Sequence, residues 1–364
     1  MPKARGEFYD PTKPFGEEIR TIIEETHPPK SVPEIKVRRV GKRYAVTEAA
    51  GYWDGLEKMT TTDGTGTKGS LIWRMKAFED SGNDPFAMTV DELYEHNYEP
   101  YKLQSHLIVH EENRKAILGC IRSLKALCIK FGWTSPAGTS LSIVIDGGET
   151  AVCDTVDGLE FSVTATGYAR PGDVLEAHAK DGDLLIGIAS NGIHSNGLTF
   201  ARHGLFGELR AKLYDNMGGG ATIGEELTMP TRIYLQALRE LKRDFGQGVT
   251  GKVHITGGAF SKLRELSKGR VSYVISADHS LKPQAVFRYI YENLKVPDKE
   301  MLVRFNCGIG YIVAMDKEVA KDAVALLRRH FDADIVGRVV GGGSEIKISS
   351  PFSRELVVLP ANKV

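Results

Sequence analysis

Glycine placement is the feature that most constrains how this 364-residue chain can fold. Many of its 39 glycines stand in short polar clusters that follow apolar segments. The clearest clusters are 63–68 (DGTGTK), 146–150 (DGGET), 190–197 (SNGIHSNG) and 254–258 (HITGG). Glycine loops at the ends of strands and helices allow backbone N–H groups to approach an anion. Each cluster alone also fits a tight turn, but the charged and hydroxyl residues built into the set favour a ligand site.

Composition indicates a folded protein with two domains. Hydrophobic residues make up 41% of the chain and charged residues 26%, which supports a buried core and argues against disorder. The length exceeds that of one ordinary domain and suits two. Lys and Arg together number 47, as do Asp and Glu. The balanced charge disfavours a nucleic-acid partner, since phosphate affinity requires clustered positive charge.

The cysteine spacing and the hydropathy of the sequence indicate in which cellular compartment the protein is located. The four Cys show no CxxC spacing, which excludes a disulfide framework and disfavours a structural zinc site. No apolar run approaches the roughly 18 residues that a membrane span requires. Residues 1–20 contain no apolar signal core. We therefore expect a cytoplasmic protein that does not bind a membrane.

Helical and extended patterns alternate along the chain and predict a mixed α/β fold. Helices are predicted at 15–25, 85–96, 111–131, from about 198, from 230 to about 245, at 284–294 and at 317–331. Strands are predicted at 57–62, 101–109, 142–146, 161–167, 183–189, 271–275, 310–314 and 334–340. The pattern restarts after a turn at 171–173 (PGD). We therefore place an N-terminal domain at 1–170 and a C-terminal domain at 171–364.

The first glycine cluster combines a carboxylate, two hydroxyls and an ammonium around one turn. Asp63 has the chemistry to hold Mg²⁺, and Lys68 the chemistry to neutralise phosphate oxygens. The spacing is not that of a Walker A loop, which reads GxxxxGK[ST]. The motif by itself is therefore weakly specific.

Other acidic residues extend this hypothesis. Asp91 and Glu92 lie within a predicted helix, where a solvated surface is the simpler interpretation. Glu149 follows a predicted buried strand, and ligands of α/β folds commonly bind at strand ends. If these residues and Asp63 converge, they could hold Mg²⁺ ions that bridge the phosphates of ATP, as phosphoryl transfer requires.

Two histidines of the second half lie inside glycine-containing loops. His194 and His254 are flanked by Ser, Thr, Asn and Gly, surroundings that suit anion binding or proton transfer. A lone histidine is more often structural than catalytic. Cys307 has no evident base beside it, so we interpret it as a small buried apolar residue.

Seven motifs occur in an order that resembles a known enzyme family. They are 63–68 (DGTGTK), 87–93 (AMTVDEL), 147–150 (GGET), 194–197 (HSNG), 230–234 (PTRIY), 254–258 (HITGG) and 305–310 (FNCGIG). Together they resemble aminoimidazole ribonucleotide synthetase, also called phosphoribosylformylglycinamidine cyclo-ligase, over about residues 45–340. The motifs at 230–234 and 305–310 are the most particular to that family.

The resemblance implies a fold, an assembly and a reaction. The fold is a two-domain α/β (α+β) architecture in which strands of the N-terminal domain build a barrel across a homodimer and a C-terminal α/β domain completes the substrate cleft. The reaction belongs to purine biosynthesis and uses ATP and Mg²⁺. ATP activates the formyl amide oxygen of formylglycinamidine ribonucleotide as a phosphate ester, the amidine-side nitrogen attacks, and phosphate leaves as the imidazole closes.

The resemblance also assigns roles to individual residues. The catalytic residues implied are Lys68, His194 and His254. The ATP-binding residues implied are Asp63, Gly64, Thr65, Gly66, Thr67, Lys68 and Glu149, and the metal ligands are Asp63, Asp91, Glu92 and Glu149. The substrate-binding residues implied are His194, Ser195, Asn196, Gly197, Arg232, Thr256, Gly257 and Gly258.

The sequence departs from the family pattern mainly in its N-terminal half. A basic segment, 37–44 (VRRVGKRY), stands where the family carries a glycine-rich lid, and 94–100 (YEHNYEP) replaces a small glycine-containing turn. Asp91 and Glu92 replace an Asn-Asp pair, 133–140 resembles an insertion, and 152–154 (VCD) replaces Glu-Met-Pro. Three interpretations are open: a divergent cyclo-ligase, a paralogous ATP-dependent kinase of another small molecule, or a non-catalytic nucleotide-binding dimer. The retained motifs of the second half favour the first.

Overall fold

The chain divides into two compact units. The computed structural model describes residues 15–217 and 220–360. The first unit comprises the described residues up to Leu93 together with Tyr98–Asp173. The second comprises Tyr94–Asn97 and the described residues from Val174 onward. A short segment of the N-terminal half therefore groups with the C-terminal unit.

The first unit is built on a four-stranded sheet. Its elements in chain order are α1 (Gly16–Glu24), β1 (Ile35–Val40), β2 (Arg43–Glu48), β3 (Glu57–Gly64), α2 (Lys68–Met75), α3 (Asn83–Glu95), β4 (Glu99–Val109), α4 (Arg114–Phe131), β5 (Trp133–Thr134), β6 (Ser140–Leu141), β7 (Val144–Val152) and β8 (Leu159–Ala169). The last two residues of α3 belong to the second unit. The strand order is β3-β8-β4-β7. Strand β8 is antiparallel to β3 and β4, and β4 is parallel to β7. Strands β1 and β2 form a separate hairpin.

The four-stranded sheet has one buried and one open face. In β8, Leu159, Phe161, Val163 and Ala165 are buried and alternate with partly exposed residues. This period of two is the pattern of a strand with only one face in the core. On the open face, hydroxyl pairs join β3 to β8, with Oγ1–Oγ1 distances of 3.1 Å for Thr60–Thr166 and 2.8 Å for Thr62–Thr164.

Helix α4 shows how a capping residue sets an element boundary. The sequence pattern predicts a helix from residue 111, but α4 begins at Arg114. The Asn113 side chain accepts a hydrogen bond from the Ala116 backbone N–H at 3.1 Å. This is the N-cap geometry that Asn favours, and it fixes the first turn.

The second unit contains a seven-stranded sheet. Its elements are β9 (Leu184–Ala189), α5 (Leu198–Arg202), α6 (Ile223–Thr228), α7 (Leu235–Phe245), β10 (Val249–His254), β11 (Val271–Ile275), α8 (Ala285–Asn293), α9 (Asp298–Arg304), β12 (Ile309–Met315), α10 (Ala320–Leu327), β13 (Ala333–Gly341), β14 (Ile346–Ser349) and β15 (Leu356–Leu359). The strand order is β10-β12-β9-β13-β11-β14-β15. All neighbouring pairs are antiparallel except β11 with β14. Strands β10 and β12 are buried along their whole length.

The structure confirms the mixed α/β class and corrects several local predictions. Strands β1, β2, β5, β6, β10, β14 and β15 were not predicted from the sequence. The cluster 146–150 lies inside β7 rather than after a strand. A Cβ on Gly148 would lie 2.1 Å from the Ser105 carbonyl oxygen, so this glycine allows β4 and β7 to approach closely. Segment 230–234 precedes α7 instead of forming its first turn.

Two further expectations concern the whole molecule. In the part of the chain that the structure describes, no helix has the length and apolar character needed to cross a membrane. A barrel formed across a homodimer stays a prediction, since the structure contains one chain.

Candidate active site

Four segments of the second unit meet at one end of its sheet, and we call them the motif cluster. They are 190–197 after β9, 230–234 before α7, 254–258 at the end of β10 and 305–310 at the start of β12. Antiparallel pairing sets Ala189 against Ile309, and Tyr311 against His254. The end of β9, the start of β12 and the end of β10 are therefore neighbours. Motifs that lie far apart in the sequence become one site through this topology.

The His254 side chain lies at the centre of the motif cluster. Its ring stacks on that of Tyr311 at a centroid distance of 5.7 Å and meets the Tyr234 ring edge-on at 5.6 Å. The His194 ring is 6.1 Å away. The residue is buried, and neither ring nitrogen of His254 has a hydrogen-bond partner among the described residues. Such an orphaned buried polar group points to a missing partner, such as a ligand or water.

Burial sets the protonation state of His254. Removal from water lowers the pKa of this imidazole to about 3, and the positive charge of Lys262 acts in the same direction. The ring is therefore neutral at physiological pH. A neutral imidazole can donate one hydrogen bond and accept another, but it does not offer a charge.

Asn306 holds two segments of the motif cluster together. Its Nδ2 donates to the Gly192 carbonyl oxygen at 2.9 Å. Its Oδ1 accepts from Ser190 Oγ at 2.8 Å and from the Gly308 N–H at 3.0 Å. All three bonds are buried. The amide thus joins the loop after β9 to the start of β12, a network that rigidifies a site when fully satisfied.

His194 and Ser195 are positioned by short local contacts. His194 is buried in a left-handed backbone conformation (φ 58°), and its Nε2 lies 2.9 Å from Asn191 Oδ1. Asn191 in turn donates to the Pro230 carbonyl oxygen at 3.0 Å. The Ser195 hydroxyl lies 3.2 Å from the Thr231 hydroxyl. Residues of the 190–197 and 230–234 motifs are therefore in direct contact.

Two glycines are required by the packing of the motif cluster. A Cβ on Gly310 would lie 2.0 Å from the Tyr234 hydroxyl oxygen and 2.8 Å from His194 Cε1. A Cβ on Gly197 would lie 2.3 Å from a ring carbon of Phe305, and the Gly197 φ is +75°. Glycine is the only residue that fits both positions without displacing the aromatic side chains.

Arg232 and Tyr234 brace the end of β9. Arg232 Nη1 donates to the Ala189 carbonyl oxygen at 2.7 Å, and its guanidinium lies 4.9 Å from the centre of the Phe331 ring. The Tyr234 hydroxyl donates to the same carbonyl oxygen at 3.0 Å. Arg232 was predicted to bind substrate. At least one nitrogen of its guanidinium instead bonds to the protein backbone at the end of β9.

The turn 256–258 brings polar groups and one cation together. Lys262 Nζ donates to Thr256 Oγ1 at 3.2 Å and lies 3.9 Å from a Glu265 carboxylate oxygen. Asn196 Oδ1 would lie 3.6 Å from a Cβ on Gly257, so the loop after β9 reaches this turn. The Asn196 Nδ2 is buried without a hydrogen-bond partner among the described residues. An ammonium, a hydroxyl and an amide donor beside a glycine turn are suited to an anionic group.

The first unit places Lys68 in an unexpected position. Its side chain is fully buried at the start of α2, and its Nζ lies 2.6 Å from Asp84 Oδ1, which is also buried. Burial lowers the pKa of Lys68, and the Asp84 carboxylate opposes that shift. The ammonium is therefore paired with a carboxylate inside the first unit.

The remaining residues of the first cluster form the end of β3 and the start of α2. Asp63 Oδ1 accepts a hydrogen bond from the Gly64 N–H at 2.6 Å. The buried Thr65 hydroxyl accepts from the Phe161 N–H at 3.2 Å, Gly66 has a positive φ of 49°, and Thr67 precedes α2. The loop is held by β8 on one side and leads directly into a helix.

The predicted metal ligands do not assemble into one group. Asp91 is buried, so the solvated-surface interpretation is wrong for this residue. Glu92 accepts a hydrogen bond from Thr61 Oγ1 at 2.6 Å, and Glu149 lies on β7 opposite His106 of β4. Within residues 15–217 and 220–360, no three Asp, Glu, His or Cys side chains lie close enough together to hold a metal ion. A protein-only Mg²⁺ site with three ligands therefore does not fit this structure.

Glu160 is an acidic residue near Asp63 that the sequence did not single out. Burial raises the pKa of Glu160, the Gly66 N–H opposes this by hydrogen bonding, and the Asp63 carboxylate raises the pKa further. The two carboxylates thus repel each other electrostatically. This pair has the charge to attract a cation that enters together with a ligand.

Several other residues of the sites were also missed by sequence reasoning. Four of them belong to no motif that the sequence analysis identified: Asp84, Glu95, Lys262 and Gln284. Their hydrogen-bond partners lie far along the chain or across a turn. Asn306 lies within a quoted motif but received no role. Cys307 is buried, and burial raises the pKa of its thiol, in agreement with the interpretation as a core residue.

Comparison with known proteins places the chain in a family. A family model described as "AIR synthase related protein, C-terminal domain" matches residues 180–349. A phosphoribosylformylglycinamidine cyclo-ligase of Methanocaldococcus jannaschii is 34% identical over 311 residues, which cover 84% of each chain. The enzyme of the same name from Thermococcus kodakarensis is 37% identical over 284 residues, covering 77% of this chain and 78% of the relative.

Solved structures share the fold at low sequence identity. The hydrogenase maturation protein HypE in complex with ATP aligns with a TM-score of 0.58 at 14% identity, covering 85% of each chain. Thiamine-monophosphate kinase from Stenotrophomonas maltophilia aligns with a TM-score of 0.59 at 16% identity, covering 91% of this chain and 94% of that one. These similarities concern the fold alone. The ordered motifs, the site that they form and the similarity over most of both sequences show that the chain belongs to the phosphoribosylformylglycinamidine cyclo-ligase family of carbon–nitrogen ligases.

Proposed function

We propose that this protein catalyses the ATP-dependent cyclisation of formylglycinamidine ribonucleotide to aminoimidazole ribonucleotide in purine biosynthesis. The observation that carries the proposal is the motif cluster, in which all four second-half motifs form one site around the buried imidazole of His254. Neither nitrogen of this ring has a hydrogen-bond partner among residues 15–217 and 220–360. The names of the relatives at 34% and 37% identity support the same reaction. A cytoplasmic location is part of this proposal.

The chemistry requires one phosphoryl transfer and one ring closure. The γ-phosphoryl group of ATP moves to the formyl amide oxygen, and ADP is released. The amidine-side nitrogen then attacks the activated carbon and loses a proton to a base or to water, the carbon–oxygen bond breaks, and inorganic phosphate leaves. An amide oxygen is a poor leaving group, and phosphate is a good one. The second step is intramolecular, so holding the two reacting ends together supplies much of its rate.

We assign the ribonucleotide to the motif cluster. The turn 256–258 with Lys262 and Asn196 offers donors and a positive charge that suit the 5′-phosphate. His194, Ser195 and Gly197 shape the adjoining wall, and Arg232 keeps the end of β9 in place. The neutral His254 ring is suited to hydrogen-bond the reacting amide or amidine, because it can donate and accept without a change of charge.

We assign ATP to the first unit, at Asp63 and the loop 64–67, with Glu149, Asp91 and Glu92 as further acidic residues. Mg²⁺ bound to nucleotides commonly takes one or two carboxylates and completes its shell with phosphate oxygens and water. Asp63 is the carboxylate that we expect to meet such an ion, with Glu160 beside it. Lys68 contributes by fixing the loop through Asp84.

We also propose that the protein is a homodimer. The open face of the four-stranded sheet exposes hydroxyl pairs along β3 and β8, and this face supports the proposal because sheet faces usually lie against a second layer. A barrel formed with a second copy would cover it. Light scattering coupled to size-exclusion chromatography measures the mass directly, and a monomer at micromolar concentration would contradict this part of the proposal.

A turnover assay tests the function. Purified protein, Mg²⁺, ATP and formylglycinamidine ribonucleotide are mixed, and ADP and aminoimidazole ribonucleotide are both followed. We expect equal amounts of the two products, and loss of both in Asp63→Asn. Asp157→Asn is the matched control, because that carboxylate and the Arg74 side chain that pairs with it at 3.2 Å are both exposed.

Each other outcome identifies an alternative. ADP formation without the imidazole product, once candidate acceptors are supplied, would show a kinase of another small molecule. Nucleotide binding without turnover would show a binding protein. Full activity of Asp63→Asn would exclude the role assigned to that residue.

A further inference from the structure

Residues 94–97 (YEHN) form a small docked segment of the second unit, although in sequence they lie between two stretches of the first unit. The His96 Nδ1 lies 3.0 Å from the Leu175 carbonyl oxygen, and the Leu175 N–H donates to the His96 carbonyl oxygen at 3.1 Å. Asn97 has a left-handed backbone, with a φ of 65°. The segment is thus fixed by backbone contacts at its centre.

A buried lysine anchors the same segment. Lys252 of β10 donates to the Tyr94 carbonyl oxygen and, at 2.7 Å, to Asn97 Oδ1. Its ammonium also lies 4.5 Å from the centre of the Tyr94 ring. The Lys252 side chain is buried, so these contacts are shielded from water. Interactions with a charge are stronger in such a shielded environment than in water.

The docked segment presents one carboxylate to the motif cluster. Glu95 is buried, and its Oε1 accepts a hydrogen bond from the His254 backbone N–H at 2.6 Å. Strand β10 is at the edge of its sheet, and it pairs only with β12 in the sheet order. The backbone N–H of the next residue, Ile255, donates to the carbonyl oxygen of Gly310 on β12 at 2.9 Å. The His254 N–H therefore points away from β12, and Glu95 satisfies it.

We propose that Glu95 is a positioning residue, which holds the end of β10 so that the His254 ring and the turn 256–258 keep the orientation that the ribonucleotide requires. The inference rests on the proposed function. A hydrogen bond to a carboxylate is stronger than one between neutral groups. Without it, the buried N–H of His254 lacks a partner, and the ring and the turn that follow it can shift. A displacement of about 1 Å near reacting groups lowers rates on the order of 10²-fold.

The experiment compares Glu95→Gln and Glu95→Ala with the wild-type enzyme. The Gln side chain keeps an oxygen that can accept the bond, and Ala removes it. Glu226→Gln is the matched control, because that half-buried carboxylate lies on α6 of the same unit. We expect kcat to fall on the order of 10²-fold in the Ala variant, with a smaller change in the KM for the ribonucleotide. The Gln variant should recover most of the loss, and the control should match the wild type.

A spectroscopic readout tests the contact independently of turnover. In protein labelled with ¹⁵N-histidine, the His254 amide is assigned by comparison with His254→Gln. A charge-assisted bond places its amide proton at low field. We expect this signal to move upfield in Glu95→Gln, to move further in Glu95→Ala, and to stay in place in Glu226→Gln.

The outcomes separate the inference from the proposed function. An unchanged His254 amide signal in both Glu95 variants would overturn the inference, as would wild-type kcat in a folded Glu95→Ala enzyme. If the Ala variant does not fold, the His254 amide signal of the Gln variant decides. If the wild type forms no aminoimidazole ribonucleotide, the proposed function fails. The amide and ring signals of His254 then still decide whether Glu95 holds this residue.

Discussion

The Lys68 ammonium lies 2.6 Å from the Asp84 carboxylate, and both side chains are withdrawn from solvent. Lys68 is the first residue of α2, and Asp84 lies in the first turn of α3. The pair therefore joins the starts of two helices, and Lys68 directly follows the glycine loop 63–67. The residue that the sequence suggested for phosphate binding therefore also links α2 to α3.

Breaking this pair should strongly destabilise the protein. Lys68→Met leaves the Asp84 carboxylate buried without its cation, and we expect a loss of about 3–5 kcal/mol in the free energy of unfolding. Urea denaturation measures the change. A double variant, Lys68→Met with Asp84→Leu, should regain much of the loss, because no uncompensated charge remains. Arg74→Ala, which opens an exposed pair with Asp157, should change stability by no more than about 1 kcal/mol.

A methyl group at position 310 should damage the motif cluster. The added Cβ of Gly310→Ala would lie 2.0 Å from the Tyr234 hydroxyl oxygen, so the ring must move away from Ala189 and His194. Overpacking of this kind typically costs about 1–3 kcal/mol, and we expect loss of turnover as the site distorts. Gly207→Ala is the control, because a Cβ there meets nothing within 4 Å. Wild-type activity and melting temperature in Gly310→Ala would contradict the packing described.

The buried His254 should make stability depend on pH. Its pKa is lowered to about 3 in the folded protein, from an ordinary value near 6.5. Below about pH 6.5 the unfolded chain binds a proton that the folded chain does not, so stability falls as the pH falls toward 3. The slope for one such group is at most about 1.4 kcal/mol per pH unit. Denaturation of the wild type and of His254→Gln across pH 4–8 should show a shallower slope in the variant, and equal slopes would contradict a buried neutral ring.

A charge on the open sheet face should prevent dimerisation. Thr164 lies on β8 and pairs with Thr62 of β3 at 2.8 Å. Thr164→Lys would place an ammonium in the proposed interface, where burial of an unpaired charge is unfavourable. We expect the mass measured by light scattering to fall from two chains to one. Thr47→Lys, on the exposed side of the β1–β2 hairpin, should leave the mass unchanged. An unaltered mass in Thr164→Lys would place the interface elsewhere.

Local patterns in the sequence were sufficient for the elements with strong periodicity. The alternation of β8 and the helical spacing of α4 each reflect one buried face, which a chain segment encodes by itself. Strand β10 was missed because its residues, 249–254 (VTGKVH), are buried on both sides and show no alternation. Segment 146–150 is part of β7, and the pairing of β7 with β4 contains a β-bulge there. Because this bulge depends on the neighbouring strand, the segment alone could not reveal it.

The sequence by itself determined the family and the motifs that meet in the second unit. Its motifs are short, contiguous and ordered, and glycines such as Gly310 and Gly197 are fixed by sterics that tolerate no other residue. Only the tertiary structure decided what each polar side chain meets. It paired Lys68 with Asp84, formed no metal-binding group of three side chains in the part of the chain that the structure describes, and brought Glu95 to His254 across 159 residues of sequence. The physical reason is that a buried charge takes its partner from whatever the fold places beside it, and that partner leaves no trace in the local pattern.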